Sequence, residues 1–295
     1  MPSAFFIGLG YSARPLAERL IKEGWDVTGT TRSEEKAAAL KARGIHPLLW
    51  EAGQPLSARN VFGHDAVIIS VAPKEGACPA ATALKEGKTD KATARVLYLS
   101  SSGVYGDYDG AWIDETAECR PSTDRGIARL AAENQWRDLA SRVGANLTLC
   151  RLAGIYGPGR SAIDSLSGDT PGARAGLTRR LIKPGQVFNR IHRDDIATGL
   201  HALLTTDDPI DIVNFSDDEP GPPADVITYA AELLCIAPPP EVRFEDIKDE
   251  LSPMAQSFYA ENKRLKNERL KALVGQLQHP NYRHGLEAIA AMRAR

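Results

Sequence analysis

An apolar run at residues 4–7 breaks into Gly8-Leu9-Gly10-Tyr11-Ser12-Ala13, a spacing of small residues that suits a pyrophosphate. Gly8 permits a tight turn, Gly10 has no Cβ to hold phosphate oxygens off the backbone, and Ala13 takes the third small position. From Ser12 onward, Ala13, Leu16, Ala17, Leu20 and Ile21 recur at helical spacing, so a helix begins where the turn ends. Its unpaired N–H groups and positive dipole end then face the same phosphates. Gly8, Leu9, Gly10, Tyr11 and Ser12 are therefore expected to touch a dinucleotide. An NAD site carries an acidic side chain about 20 residues past the glycines, to bind the ribose hydroxyls. Here that position reads Thr30-Thr31-Arg32-Ser33. A guanidinium suits a 2′-phosphate through bidentate charge-assisted hydrogen bonds, so Thr31 and Arg32 favour NADP over NAD as cofactor.

The elements that must position these residues alternate through the first half of the chain. Strand signals cover 4–7, 25–30, 45–50, 64–73, 95–102 and 145–151, with helical patterns from 12 to Gly24, over 37–42 and over 123–143. This alternation predicts an α/β fold, a doubly wound parallel sheet with helices on both faces. The 64–73 strand is nearly all apolar, as a central parallel strand is. Its C-terminal end brings Ser70, Val71 and Ala72 to the edge where a cofactor lies. The crossover 74–93 is rich in Gly, Lys and Ala and reads as abbreviated. Beyond Gly154 the pattern loosens into a turn at 156–160 and a mobile loop over 161–174. A helix over 194–206, a strand over 210–215, a helix over 224–234, a proline-rich link at 237–240 and a basic helix over 262–273 follow. The expected division is a dinucleotide-binding domain over 1–155 and a small α+β substrate lobe over 156–295, interleaved with the first domain's core.

Composition excludes several function classes. With 295 residues, 43% hydrophobic and 25% charged, and a net charge of −2, the chain is an ordinary globular protein without an electrostatic footprint for nucleic acid or anionic membrane. No apolar stretch approaches the roughly 18–20 residues of a membrane span, and no basic leader opens the sequence, so it reads as cytoplasmic. Cys78, Cys119, Cys150 and Cys235 lack CxxC spacing, which fits free thiols in a reducing compartment. The six histidines form no HxH or HExxH cluster, and spacing alone offers no metal site.

With Tyr98-Leu99-Ser100-Ser101-Ser102-Gly103-Val104-Tyr105-Gly106 added to the glycine turn, the chain resembles the extended short-chain dehydrogenase/reductases, the NAD(P)-dependent epimerase/dehydratase family. Asp114-Glu115 ahead of Pro121, Arg151-Leu152-Ala153-Gly154-Ile155-Tyr156-Gly157-Pro158-Gly159, Ile191-His192-Arg193-Asp194-Asp195-Ile196-Ala197 and Asn214-Phe215-Ser216-Asp217 carry the same resemblance. It covers almost the whole chain and implies a Rossmann domain, a C-terminal substrate lobe and a cleft between them that takes a small-molecule substrate. It adds Ser100, Leu152, Ala153 and Gly154 to the cofactor contacts, and it makes Ser101 the group that polarises a substrate oxygen. It further implies a homodimer through 74–93 and 123–143, with a monomer or an altered dimer as the alternative because the first segment is short.

One departure bears on mechanism. The family's YxxxK tyrosine and lysine fall on Arg125-Gly126-Ile127-Ala128-Arg129, and no YxxxK occurs anywhere in the sequence. A guanidinium stays protonated and cannot act as the general acid/base. Arg129 can stand in for the lysine as a donor to the nicotinamide ribose, while Arg125 suits an anionic substrate group. Ser102 and Gly103 occupy the positions where the family's dehydratases carry their acid pair, which disfavours sugar-nucleotide dehydration. By resemblance, Ser102, Tyr105, Arg125, Tyr156, Arg160, Asn189 and His192 line the substrate pocket, with Asp194 or Asp195 capping the helix after His192. Two functions remain open at this level: an NADP-dependent oxidoreductase or epimerase of a small polar or sugar-like substrate, and a non-catalytic NADP-binding redox sensor. The pattern is most similar to the atypical members that lack the tyrosine.

Overall fold

The computed structural model describes residues 1–74, 76–84, 94–168 and 177–293. The first half builds β1 (Ser3–Ile7), α1 (Arg14–Lys22), β2 (Asp26–Thr31), α2 (Glu34–Lys41), β3 (His46–Leu49), α3 (Ala58–Phe62), β4 (Ala66–Ile69), α4 (Pro79–Leu84), β5 (Arg95–Ser101) and α5 (Asp124–Val143). Strands Asn146–Leu152 and Ile212–Phe215 complete a seven-stranded sheet in the order Ile212–Phe215, Asn146–Leu152, β5, β4, β1, β2, β3, and every pairing is parallel. Chain order reverses between β1 and β4, which opens a crevice at their C-terminal ends, the usual ligand position in an open α/β sheet.

Local sequence explains the central elements. All of β4 is buried, as expected of a strand covered on both faces. In α1, Leu16, Ala17 and Leu20 face the sheet, and Pro15 sits in the first turn, where its missing N–H is harmless. The α5 helix starts at Thr123, whose hydroxyl accepts the Gly126 N–H, and stops at Gly144 in the left-handed conformation. Gly126 is needed for packing, because a Cβ there would lie 2.7 Å from the Gly103 carbonyl oxygen. One core face joins α1 to β1, β4 and β5 through Leu16, Phe6, Ile68 and Leu97, and the other packs Trp136 and Phe62 against Ile7, Ile69 and Tyr98.

The C-terminal portion adds α6 (Ala162–Ser167), α7 (Arg193–Thr205) and α8 (Pro223–Leu233), followed by helices Pro253–Tyr259, Glu268–Val274 and Tyr282–Arg293. A third apolar cluster holds Tyr156, Ile163, Ala230, Leu286 and Ile289. Three small parallel pairs lie outside the main sheet: Gly154–Tyr156 with Arg190–His192, Arg180–Ile182 with Glu241–Arg243, and Trp112–Ile113 with Arg264–Leu265.

Two expectations change. Part of the 161–174 loop is the α6 helix, capped by the Ser161 hydroxyl and ended by Gly168, while 169–174 lie outside the described residues. The basic helix over 262–273 exists only from Glu268, because Arg264–Leu265 pair as a strand with Trp112–Ile113 and override the local helical preference. The abbreviated crossover contains α4, and 85–93 lie outside the described residues.

Candidate functional site

The glycine turn leaves β1 at Gly8, whose φ of +85° is one that only glycine adopts readily; a Cβ there would also lie 2.8 Å from Val71 Cγ1. The Gly8 N–H donates to Thr30 Oγ1 at 2.7 Å, and Ser70 Oγ donates to the Gly8 carbonyl, so β2 and β4 grip the turn from both sides. Leu9 packs over Gly29. Gly10 is exposed, and a Cβ on it would meet nothing within 4 Å. No side chain caps α1, but its first N–H, that of Arg14, donates to the Gly10 carbonyl at 3.0 Å and Pro15 has none, so the N–H groups left for a ligand are those of the preceding turn, Tyr11 to Ala13. Tyr11 leans across to the 157–160 turn, its hydroxyl donating to the Pro158 carbonyl at 3.2 Å, with Arg193 and Arg160 over its ring at 5.0 and 5.8 Å. Half-burial pushes the Tyr11 phenol up, against the pull of the two arginines.

Thr31 ends β2 half-buried, and Arg32 is exposed with no hydrogen bond or ion pair to any described residue. Ser33 caps α2 by accepting the Lys36 N–H at 3.3 Å. Ser70, Val71 and Ala72 follow the end of β4, next to the turn. These residues fit a dinucleotide: an open phosphate cradle, an uncapped helix start and a free cation at the end of β2.

At the end of β5, Ser101 is half-buried and its Oγ accepts the Gly103 N–H at 3.2 Å, capping a short 3-10 turn, Ser102–Tyr105. Beneath it lies a buried polar network that sequence reading did not foresee. Glu133 of α5 accepts a 2.6 Å hydrogen bond from Ser100 and a bidentate pair from Arg151 at 3.1 and 2.8 Å. The Arg151 guanidinium lies 4.7 Å from the Tyr105 ring centre, and the Tyr105 hydroxyl donates to Asn214 Oδ1 at 2.7 Å. Burial pushes the Tyr105 phenol up to about 12. Arg129 donates to the Tyr98 hydroxyl at 3.0 Å and to the Leu99 carbonyl at 3.1 Å, which ties α5 to β5. Arg125, at the tyrosine position, is exposed and stacks 4.8 Å over Phe258.

Several expected contacts face inward instead. Ser100 is buried with its hydroxyl on Glu133, and Leu152 and Ala153 are buried while Gly154 is exposed. Tyr105 belongs to the core. Tyr156 is buried with its hydroxyl on the Asn281 carbonyl at 3.3 Å. Asn189 uses both ends of its amide on the backbone of the facing strand, at the Lys263 carbonyl and the Leu265 N–H. His192 is fully buried and caps α7 itself, its Nδ1 accepting the Asp194 N–H at 3.2 Å. Asp195 does not cap; its carboxylate accepts the N–H groups of Gln278 and His279 at 2.7 and 3.0 Å. Burial and the adjacent His279 hold His192 down to about 4. Ser102 and Arg160 stay accessible. The phosphate-turn partner Thr30 had a readable signal, a hydroxyl residue at the end of the second strand. The buried Lys263, bonded to Glu261 at 2.9 Å and to the Gly106 carbonyl at 2.6 Å, had none, because Gly106, the partner that draws it inward, lies 157 residues away along the chain.

The fold and this edge define a Rossmann dinucleotide-binding protein. Residues 75–215 match the model of the NAD dependent epimerase/dehydratase family, and residues 3–94 match the NAD binding domain of 6-phosphogluconate dehydrogenase. The chain thus carries an NAD-dependent epimerase/dehydratase family domain over residues 75–215, and its cofactor class is a nicotinamide dinucleotide. A conserved protein of unknown function from Silicibacter pomeroyi DSS is 43% identical, with a TM-score of 0.86 over 99% of both chains. Protein YeeZ of Escherichia coli K12 is 26% identical over 253 residues, 81% of this chain and 86% of that protein. The UDP-glucuronic acid 4-epimerase of Bacillus cereus, solved with NAD, shares the fold at a TM-score of 0.74 and 16% identity, covering 98% of this chain and 96% of that one. Among the described residues no helix is long and apolar enough to cross a membrane.

Proposed function

We propose that this chain is an NADP-binding oxidoreductase or epimerase of a small polar or sugar-like substrate, in the atypical branch of its family that lacks the YxxxK tyrosine. The carrying observation is topological. The adjacent strands β1, β4 and β5 deliver, along one sheet edge, the open glycine turn, Ser70–Ala72 and Ser101. The nicotinamide supplies hydride transfer, Ser101 donates a hydrogen bond to the substrate oxygen, and Arg32 takes the 2′-phosphate. The relative solved with NAD supports the cofactor class; the choice of NADP rests on Arg32. In fluorescence titrations NADPH binds more tightly than NADH, and Arg32→Ala removes at least about tenfold of that preference. Equal affinities in the parent protein refute the Arg32 argument. In a substrate screen, Ser101→Ala lowers any turnover found by on the order of a hundredfold; unchanged turnover removes Ser101 from the mechanism.

A specific observation favours the redox sensor as the second reading. The phenols that could replace the missing acid/base are all engaged: Tyr11 on Pro158, Tyr105 on Asn214, Tyr108 on Glu118 and Tyr156 on Asn281. A sensor predicts a protein partner bound only with nucleotide, and no turnover in the same screen.

A further inference from the structure

Tyr11 belongs to two parts of the molecule at once. Its main-chain N–H makes no hydrogen bond to any described residue and is one of those that the turn before α1 leaves for a ligand. Its side chain leaves that turn altogether, and the hydroxyl donates to the Pro158 carbonyl, 147 residues further along the chain, at 3.2 Å. A short, rigid side chain joins the two groups, so a shift at one end is felt at the other.

The surface that receives the phenol is shaped for it. The 157–160 turn is closed by reciprocal hydrogen bonds between Gly157 and Arg160, at 3.2 and 2.9 Å, and a Cβ on Gly157 would lie 2.7 Å from the Tyr11 hydroxyl. Arg160 reaches back over the phenol ring and has no hydrogen bond or ion pair to any described residue. Arg193, the first residue of α7, lies over the same ring at 5.0 Å, with its Nε held by Asp194 Oδ1 at 3.3 Å. Further along, α7 is tied to the end of α1, where His201 Nε2 lies 2.7 Å from Glu23 Oε2. The α7 helix therefore meets the first βαβ unit at two points, and one of them is a residue of the glycine turn.

We propose that Tyr11 is a positioning residue that couples dinucleotide binding to the C-terminal portion. Pyrophosphate bound at the N–H groups of the turn seats the phenol, and the phenol seats the 157–160 hairpin and the start of α7. The inference rests on a nicotinamide dinucleotide occupying the glycine turn. Coupling of this kind is reciprocal: a change in the hairpin that presses on the phenol alters dinucleotide affinity, just as the dinucleotide alters the hairpin. A hairpin carrying the accessible Arg160 is thereby set only when the dinucleotide is in place.

The test is amide hydrogen exchange on the full-length chain, without nucleotide and with saturating NADPH, NADH serving as a second probe. In the parent, nucleotide slows exchange in the glycine turn and also at Gly157, at Arg160 and over 193–196. In Tyr11→Ala the slowing in the turn persists at saturation, the slowing in the hairpin and at the start of α7 is lost, and affinity falls about five- to tenfold. Tyr11→Phe, which keeps the ring over which both arginines lie, restores most of each effect. Gly157→Ala, which crowds the hydroxyl from the hairpin, weakens binding in the parent background and much less in the Tyr11→Ala background; if it does not fold, the two Tyr11 variants decide. Should neither nucleotide bind the parent, the dinucleotide reading falls and the coupling with it. Should nucleotide bind without slowing the hairpin, or slow it equally in Tyr11→Ala, the coupling through Tyr11 is overturned while the cofactor reading stands.

Discussion

Two helices start at the C-terminal ends of short parallel strands, and they are finished in opposite ways. The α1 start follows β1 without a side-chain cap, with Gly10 open in front of it. The α7 start follows Arg190–His192, is capped by His192 and is covered by the segment around His279, which Asp195 ties down. Orphan N–H groups at a helix start need an acceptor. Where a side chain supplies one, as at α7, the start is a structural joint; at α1 only the Gly10 carbonyl does so, and the turn before it stays open at the sheet edge. The difference lies in partners rather than in setting, since both starts follow a short parallel strand.

Both starts presume a fixed sheet edge, and the largest expected effect comes from loosening it. Glu133→Ala leaves the fully buried Arg151 guanidinium and the Ser100 hydroxyl without their partner. Breaking such a pair costs about 3–5 kcal/mol, so urea unfolding should show a lower midpoint and an unfolding free energy smaller by that amount, and dinucleotide binding should weaken with it. A change below about 1 kcal/mol would mean that the network is dispensable. On the closed side, Asp195→Asn places an amide N–H₂ against one of two backbone N–H donors. A loss of about 1–3 kcal/mol is expected, accompanied by faster hydrogen exchange at Gln278 and His279 and unchanged exchange in the α1 turn.

The closed side also contains a carboxyl with an unmet need. Asp217 is buried, its Oδ1 accepts the Glu219 N–H, and Oδ2 has no hydrogen-bond partner among the described residues. Burial outweighs the attraction of Arg190 and raises its pKa well above the usual carboxylate range. The folded state therefore holds this proton to higher pH than the unfolded chain does. Its contribution to stability is fully present below the unfolded pKa of about 3.9 and is lost as pH rises through the raised folded pKa. Asp217→Asn should consequently stabilise the protein at pH 7, by about 1 kcal/mol, and remove that part of the fall with pH. A destabilised variant with an unchanged pH profile would show that the carboxylate form is accommodated after all.

The open side was legible because it is contiguous: strand, glycines, helix and Arg32 lie within one βαβ unit, and spacing alone fixes their positions. The central strands and α5 were legible for the same reason, through apolar runs and capping residues at their ends. The closed side was not. Tyr105, Tyr156, Asn189 and His192 look like cleft residues in a linear motif, and only long-range partners such as Asn214, Asn281, Lys263 and His279 turn them inward. The strand Arg264–Leu265 shows the same limit, since a pairing partner at Trp112–Ile113 decided against the helical pattern.

The smallest expected effect on stability is the sharpest test of the comparison. Gly10 has neither a positive φ nor a neighbour within 4 Å of an added Cβ, so Gly10→Ala should shift folding stability by less than about 0.5 kcal/mol. On the dinucleotide reading, the methyl group would nevertheless occupy the space in which phosphate oxygens approach the N–H groups of the turn before α1, and nucleotide affinity should fall by at least about tenfold. Gly8→Ala should instead lose stability along with binding, because its φ of +85° and the contact with Val71 are demands of the fold. If Gly10→Ala bound NADPH as well as the parent does, the open helix start would have no anion to receive, and its lack of a cap would be a feature of packing alone.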